Sequence, residues 1–264
     1  MVASDLDQTL IYSARAVGDA DVPLRVVEHG PGGEPMSSVT ERAAELLSEV
    51  GRRALLVPVT TRTVEQYLRV RLPGRSRYAI CANGGRLLVD GESDRDWEAT
   101  VDARLAAAGI PLAEVTARLA ATADPSWLLK RRTAEGLFAY LVVERAALPA
   151  GWLAELGGWC AERGWRVSLQ GRKVYAVPTA LTKSAGVAGL RGRLPGDHPV
   201  MAAGDSLLDA DLLAAADAAW YPGHGELAAD VDHVAYGVPH VTALADRGPV
   251  AAEAILGAML ARMG

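Results

Sequence analysis

Short apolar runs alternate with amphipathic segments in the first and last thirds of the chain. Residues 39–50 place Ala43, Leu47 and Val50 on one helical face, and residues 54–59 then form a continuous apolar run of strand length. The same pattern predicts helices at 64–72, 183–191, 209–216 and 250–263 and strands at 78–82, 199–203 and 218–221. Fully apolar strands separated by helices are typical of a parallel sheet covered on both faces. We therefore predict an α/β core with a Rossmann-like, doubly wound parallel sheet, built from residues 1–85 and 181–264.

The middle of the chain has a different pattern. Neighbouring strand-like runs are joined by short turn sequences, which is typical of hairpins. The predicted strands are 127–132, 137–144, 165–170 and 173–177, and the predicted helices are 97–108, 112–121 and 151–163. We predict an inserted α+β cap domain at 86–180, entered through Asn83, Gly84 and Gly85. In the first third, residues 30–35 carry Gly and Pro and predict a loop.

The composition of the chain argues against several classes of protein, including nucleic-acid-binding, disulfide-rich and membrane proteins. Half of the 264 residues are hydrophobic and 22% are charged, the balance of an ordinary globular protein. The formal net charge of −5 argues against a nucleic-acid partner, which requires a basic face. Cys81 and Cys160 form no disulfide framework and no metal-binding spacing. Asp5 and Asp7 interrupt any signal-peptide pattern and no apolar run has membrane-spanning length, so we expect a cytoplasmic protein without membrane partners. We expect it to be a monomer or a homodimer.

Two pairs of aspartates follow predicted strands. Asp5 and Asp7 come after the apolar residues 1–4, and Asp205 and Asp209 follow the strand at 199–203. In an open parallel sheet, side chains at the carboxyl ends of strands meet at the ligand-binding crevice. Clustered carboxylates repel one another unless a hard cation lies among them, and Mg²⁺ prefers oxygen ligands. The sequence therefore predicts a magnesium site.

The residues near these aspartates fit phosphoryl chemistry. An ionised aspartate can attack a phosphorus atom, and a second carboxyl can protonate the departing alcohol. Thr60 places a hydroxyl at another strand end, where it could bind a phosphoryl oxygen; Thr61 is a rival for that role, one position later. Lys183 opens a helix, where its ammonium and the helix N-terminus would neutralise the same phosphate.

Four segments in order carry a family resemblance: residues 5–9, 57–62, 181–184 and 204–209. Together they resemble the four motifs of the haloacid dehalogenase (HAD) superfamily of phosphohydrolases. The resemblance implies that Asp5 forms an aspartyl-phosphate and that Asp7 is the general acid/base. It also implies Mg²⁺ held by Asp5, the Asp7 backbone carbonyl, Asp205 and Asp209. The positions that depart from the common family pattern are Gln8, Thr61, Ser206 and Leu208.

The insertion between the second and third segments is similar to the α+β cap of one HAD subgroup. That subgroup contains sucrose-phosphate, mannosyl-3-phosphoglycerate and Cof-type phosphatases. The resemblance implies that the cap closes over the core and recognises the leaving group. We assign Asn83, Gly84 and Gly85, where the chain enters this insertion, to a hinge or to substrate contact.

Several of these residues have plainer interpretations. Asp5 and Asp7 could be turn or N-cap aspartates, and Asp209 could cap the helix that follows it. Lys183 could be a solvated first-turn lysine, although a cation there opposes the helix dipole. The basic residues of 130–132 and 172–173 are most simply solvated strand edges. The alternative for them is contact with an anionic or polyhydroxyl substrate.

The combined expectation is a Mg²⁺-dependent phosphatase acting on a small phosphorylated metabolite, most plausibly a phosphosugar. A phosphomutase on the same scaffold is the nearest alternative. A catalytically silent, metabolite-binding regulatory protein is the alternative from a different class.

Overall fold

The protein divides into two compact units. The computed structural model describes all residues, Met1–Gly264. Unit 1 comprises Met1–Asp94 and Lys183–Gly264, and unit 2 comprises Arg95–Thr182. Residue 86, the predicted start of the insertion, lies in unit 1, because Arg86–Val89 pairs antiparallel with Tyr78–Cys81. No helix of the protein combines the length and apolar character that a membrane crossing requires.

The elements follow one another in three stretches. The first is β1 (Val2–Ser4), β2 (Tyr12–Ser13), α1 (Ala14–Val17), β3 (Leu24–His29), β4 (Pro35–Thr40), α2 (Glu41–Arg53), β5 (Leu56–Pro58), α3 (Val64–Leu68), β6 (Tyr78–Cys81), β7 (Arg86–Val89) and β8 (Glu92–Ser93). Unit 2 contains α4 (Arg95–Ala106), α5 (Leu112–Thr122), β9 (Leu128–Ala134), β10 (Phe138–Val143), α6 (Ala150–Ala161), β11 (Trp165–Gln170) and β12 (Lys173–Pro178). The last stretch is α7 (Lys183–Arg193), β13 (Met201–Ala203), α8 (Ala210–Ala215), β14 (Ala218–Tyr221), α9 (Glu226–Ala229), β15 (Val241–Ala243) and α10 (Val250–Arg262).

The centre of unit 1 is a five-stranded sheet in the order β15-β14-β13-β1-β5. All of its strand pairs are parallel, and Ala3 of β1 lies opposite Ala202 on one side and Val57 on the other. This register brings the carboxyl ends of β1, β5 and β13 side by side. The predicted fold class, a helix-flanked parallel sheet with an antiparallel α+β unit, is confirmed.

Helices α2 and α10 pack together in the main apolar core of unit 1. The buried face of α2 carries Ala43, Ala44, Leu47 and Val50, at the spacing that the sequence predicts. Thr40 starts this helix, because its hydroxyl accepts a hydrogen bond from the amide of Ala43. The same hydroxyl donates to Glu253 of α10 at 2.6 Å, so one residue caps α2 and links the two helices.

Residues 24–40 form a β-hairpin that the sequence analysis does not predict. The predicted loop at 30–35 is the turn between β3 and β4, with Gly33 at a φ of 83°. The first half of β3 is exposed and only Val27 and Glu28 are buried, so the strand lacks the regular alternation that identifies a half-buried strand. This hairpin contributes Glu28 to the site described below.

Unit 2 is the predicted antiparallel α+β unit. Its four strands are ordered β11-β12-β10-β9, all antiparallel. Helix α5 packs on β10 and α6 packs on β11. The rings of Trp127 and Trp152 contact each other in a tilted arrangement, with centroids 4.7 Å apart, which anchors α6 within the unit.

Candidate active site

The site of unit 1 is built around Asp5, the first residue after the central strand β1. Its backbone amide donates to the carbonyl of Ala203, at the end of β13, at 2.9 Å. On the other side of β1, the amide of Val59 donates to the carbonyl of Ser4 at 2.8 Å. These two bonds hold the ends of three neighbouring strands together. Asp5 is only 5% exposed, so the strand end delivers a carboxylate into a nearly closed site.

Three carboxylates converge there. Asp5, Asp205 and Asp209 are all buried, and one oxygen from each lies within 4.8 Å of the others. Gly204 makes this possible, because a Cβ at position 204 would lie 2.3 Å from the Cβ of Asp209. Asp205 and Asp209 thus reach Asp5 from the loop that follows β13. The structure brings together three of the four predicted aspartates.

Lys183, the first residue of α7, supplies the positive charge of this cluster. Its Nζ lies 2.5 Å from Asp5 Oδ1 and 2.5 Å from Asp209 Oδ1, and the residue is 1% exposed. Burial lowers the pKa of the ammonium, but the charges of Asp209 and Asp5 outweigh burial and raise it above its ordinary value. Lys183 is therefore a buried cation, and its interpretation as a solvated helix residue is wrong.

Asp209 orients this lysine and does not cap a helix through its side chain. Its Oδ2 accepts hydrogen bonds from the Ser206 amide at 3.0 Å and the Ser206 hydroxyl at 2.6 Å. Its Oδ1 accepts from Lys183, while no side-chain bond links it to the start of α8. Asp209 therefore occupies the N-cap position of α8 without capping this helix through its side chain. Ser206, one of the departures from the family pattern, fixes the plane of this carboxylate.

The electrostatics of the cluster suit a hard divalent cation. Burial raises the pKa of Asp5, and Asp209 and Asp7 raise it further against the opposing effect of Lys183. Burial likewise raises the pKa of Asp205, with added repulsion from Asp5 and Asp209. Three carboxylates face one ammonium, and Asp205 receives only a long hydrogen bond of 3.5 Å from the Thr9 hydroxyl. An oxygen-only site with excess negative charge fits Mg²⁺.

The Asp7 side chain pairs with an arginine and not with Lys183. Its two oxygens accept hydrogen bonds from Arg62, at 2.8 Å from Nε and 2.9 Å from Nη2. The Asp7 side chain is 45% exposed and lies outside the buried carboxylate cluster. Metal binding through its backbone carbonyl stays a prediction.

Sequence reasoning assigned no role to Arg62 or to its second partner, Glu28. Nη1 of Arg62 lies 2.8 Å from Glu28 Oε1, and the Glu28 side chain is 1% exposed. The Ser37 hydroxyl, on the opposite strand of the hairpin, donates to Glu28 Oε2 at 2.7 Å. Arg62 follows Thr60 and Thr61 in the second motif, and this position could have indicated that it belongs to the site. For Glu28 the sequence offered no comparable signal; it is only an acidic residue that follows two valines.

Thr60 is fully buried at the end of the segment after β5. Its amide donates to the carbonyl of Ile80, and its carbonyl accepts from the amide of Asn83 at 2.9 Å. The Thr60 hydroxyl accepts from the Arg62 amide at 3.2 Å, so the residue also organises the turn that presents Arg62. Thr61 is half-buried. Phosphate binding by either threonine stays a prediction.

Asn83 and Gly84 lie in a 3₁₀ turn within unit 1, and Gly85 ends it. Asn83 has a φ of 57° and Gly84 a φ of 100°. A Cβ on Gly186 of α7 would come within 3.1 Å of the Cα of Gly84, so this turn supports the helix that carries Lys183. A hinge or substrate role for the three residues stays a prediction.

Unit 2 carries an aromatic and basic row on one face of its sheet. Arg132 lies opposite Tyr140, Tyr140 opposite Tyr175, and Tyr175 opposite Ser168, one residue from each strand. Directly opposite residues share a face of the sheet. The rings of Tyr140 and Tyr175 are 5.4 Å apart, and Lys173 Nζ lies 5.8 Å from the Tyr140 ring centroid.

The basic residues of unit 2 differ in exposure. Residues 130–133 are exposed on β9, the edge strand, which agrees with the solvated-edge interpretation. Lys173 is half-buried on β12, inside the sheet.

Solved structures share this architecture over the whole chain. The sucrose-phosphatase of Synechocystis sp. PCC6803, determined with sucrose and phosphate, is 17% identical with a TM-score of 0.65, covering 99% of this chain and 96% of that one. A sugar phosphatase of HAD subclass IIB is 13% identical with a TM-score of 0.59, covering 99% and 98%. A trehalose-6-phosphate phosphatase related protein is 17% identical with a TM-score of 0.54, covering 99% of both chains.

The chain adopts the fold of the HAD phosphatases. No family model and no curated protein matches the sequence. At these identities the likeness establishes the fold only. The predicted resemblance to the fold of the sugar-phosphatase subgroup is confirmed. The HAD-type core is unit 1, which contains the buried aspartates and Lys183.

Proposed function

We propose that the protein is a Mg²⁺-dependent phosphatase that hydrolyses small phosphorylated metabolites. The observation that carries this proposal is the ammonium of Lys183 held between Asp5 and Asp209, beside Asp205. A buried site with a strand-end carboxylate, a fixed cation and oxygen ligands for a metal has the parts that phosphoryl transfer needs, namely in-line positioning and charge neutralisation.

Asp5 is the proposed nucleophile. Its free carboxylate oxygen attacks the phosphorus, the bond from phosphorus to the ester oxygen breaks, and Asp7 donates a proton to the departing alkoxide. A water molecule then attacks the phosphorus of the aspartyl-phosphate, with Asp7 accepting its proton. The products are alcohol and inorganic phosphate, and both aspartates return to their starting forms.

Lys183 and the threonines hold the phosphoryl group in this scheme. Lys183 is already fixed by two carboxylates, so its remaining N–H can reach a phosphoryl oxygen without an entropic cost for ordering the side chain. The Thr60 hydroxyl, or that of Thr61, binds another oxygen. Asp5, Asp205, the Asp7 carbonyl and Asp209 are the proposed metal ligands, and bound Mg²⁺ supplies neutralisation of the phosphoryl charge.

A phosphosugar is the proposed substrate class. Two of the structural neighbours are described as a sucrose-phosphatase and a sugar phosphatase, which supports this choice. The sheet face of unit 2 supports it independently, because the Tyr140 and Tyr175 rings with Lys173 and Arg132 are side chains suited to sugar rings and anionic groups. Specificity for the leaving group is accordingly assigned to unit 2.

Turnover of phosphorylated sugars, glycerates and nucleotides with Mg²⁺ tests the proposal. We expect release of inorganic phosphate by the wild type and a loss of orders of magnitude in Asp5→Asn, which keeps the shape but removes the attacking charge. An isomerised sugar phosphate in place of free phosphate would identify a phosphomutase. Binding of a phosphorylated metabolite without any turnover would identify a regulatory protein instead.

A further inference from the structure

Arg62 joins two carboxylates that belong to different parts of unit 1. Its Nε and Nη2 bind both oxygens of Asp7, in the loop after β1. Its Nη1 contacts Glu28, in the β3–β4 hairpin, at 2.8 Å. The Arg62 side chain is 11% exposed and Glu28 is 1% exposed, so this end of the contact is screened from water.

The geometry of the pairing requires a guanidinium. Two parallel N–H groups on the two oxygens of one carboxylate fix its plane as well as its position, which a lysine ammonium cannot do. A carboxylate oxygen has two lone pairs, so accepting one N–H bond does not by itself prevent proton exchange. Glu28 in turn is held by the Ser37 hydroxyl at 2.7 Å.

We infer that Arg62 is the positioning residue for Asp7, and that Glu28 anchors Arg62 from the hairpin. This inference rests on the proposed function, because it assigns Arg62 an effect on the step in which Asp7 protonates the leaving alcohol. In that step the phosphorus–oxygen bond breaks, and the proton passes from the Asp7 carboxyl to the alkoxide oxygen. Arg62 contacts no reacting atom; it determines where the Asp7 carboxyl lies.

The dependence on the leaving group separates positioning from a general structural role. An alkyl phosphate needs the proton, because an alkoxide is a poor leaving group, whereas p-nitrophenyl phosphate releases a stable anion without it. The comparison uses kcat/KM, which reports only the steps up to transfer of the phosphoryl group to Asp5 and so leaves out the later step in which Asp7 activates water. We expect Arg62→Gln to lower kcat/KM for an alkyl phosphate by about 10- to 100-fold, within the roughly 10²–10⁴ that a positioned acid supplies, and to change kcat/KM for the aryl ester by less than about threefold. The ratio of the two rates on one preparation is unaffected by any loss of folded protein.

Three further variants test the same inference. Glu28→Gln should shift the ratio of the alkyl and aryl ester rates in the same direction by a smaller factor, since it weakens only the contact between Glu28 and Arg62. Asp7→Asn combined with Arg62→Gln should hydrolyse the alkyl ester no more slowly than Asp7→Asn alone, because both changes remove one function. The matched control is Arg25→Gln, on the same hairpin, whose exposed side chain pairs with Glu41 and should leave both rates unchanged.

The possible results distinguish failure of the positioning role of Arg62 from failure of the proposed phosphatase function. Equal losses on the two esters in Arg62→Gln, or additive losses in the double variant, would overturn the positioning role while leaving a phosphatase. Wild-type protein that hydrolyses neither ester with Mg²⁺ would overturn the proposed function and this inference with it.

Discussion

Lys183 Nζ lies 2.5 Å from Asp5 Oδ1, although 178 residues separate the two along the chain. The contact joins the first residue of α7 to the first residue after β1, and both side chains are almost fully buried. A buried ammonium and carboxylate stabilise the fold only as a pair. Under the proposed function, catalysis and stability therefore depend on the same contact.

Replacing Lys183 by Met tests this dependence. The change keeps an unbranched side chain one atom shorter than lysine but leaves Asp5 and Asp209 without their cation. We expect a loss of about 3–5 kcal/mol in the free energy of unfolding, the usual cost of breaking a buried ion pair from one side, and a loss of activity by orders of magnitude. Urea unfolding and steady-state kinetics measure the two effects. Unchanged unfolding together with near-normal turnover would be incompatible with the contact described here.

The effect of Asp205→Asn on thermal stability should depend on whether Mg²⁺ is present. Asp205→Asn removes one of three mutually repelling carboxylates, so the metal-free variant should be at least as stable as metal-free wild type. Added Mg²⁺ should raise the Tm of the wild type, because it binds only the folded protein, and should leave that of Asp205→Asn nearly unchanged. Thermal unfolding with Mg²⁺ and with EDTA measures both; an equal Tm increase in the two proteins would place the ion elsewhere.

Gly204 should tolerate no side chain. A Cβ there would lie 2.3 Å from the Cβ of Asp209, so Gly204→Ala must displace the carboxylate that orients Lys183. We expect a destabilisation of about 1–3 kcal/mol, typical of overpacking, together with reduced kcat. The matched control is Gly257→Ala in α10, which meets no atom within 4 Å and should stabilise the protein by about 0.5–1 kcal/mol. Similar effects of the two substitutions would contradict this packing.

His224 should make stability depend on pH. Its Nε2 lies 2.8 Å from the Gln8 carbonyl, and its Nδ1 accepts from the Gly248 amide at 3.2 Å, an arrangement of the neutral ring. Burial lowers its pKa below 6.5, so the unfolded chain binds the proton more readily. The His224 contribution is complete above the unfolded pKa and is lost as pH falls through the lower folded pKa.

Unfolding of His224→Gln and wild type should therefore differ in pH dependence. Between about pH 7.5 and about pH 5.5 the wild type should lose more stability than the variant, whose amide does not titrate. Groups other than His224 are common to both proteins, so the difference isolates the imidazole. Parallel curves for the two proteins would show that His224 does not change its protonation state on unfolding.

The elements that the sequence predicts well are those with a strong local pattern. The strands before Asp5, Thr60 and Asp205 are short and apolar except for Ser4, and α2 has a regular buried face. The hydrophobic pattern therefore predicts which of these segments are strands and which is a helix. Because parallel strands end at the same edge, the sequence also predicts that Asp5 and Asp205 meet. Lys183, at the start of α7, is assigned to the same site from its place in the third motif.

The remaining features depend on contacts between distant segments. Glu28 lies on β3, a largely exposed strand, so no local pattern predicts either this strand or the burial of its glutamate. Asp209 follows a strand and precedes a helix, which equally fits a cap; only the positions of Ser206 and Lys183 decide its role. The start of unit 2 shifted to Arg95 because β7 pairs with β6, a pairing that adjacent apolar runs do not specify.

The central claim is that Asp5 attacks phosphorus and carries the phosphoryl group. Acid quenching during turnover of a phosphate ester, followed by mass spectrometry of the peptide that contains residues 5–9, tests it most directly. We expect one added phosphoryl group on Asp5 in the wild type, removed by hydroxylamine as an acyl phosphate is, and none in Asp5→Asn. Rapid turnover with no modified peptide, or a phosphoryl group on another residue, would contradict it.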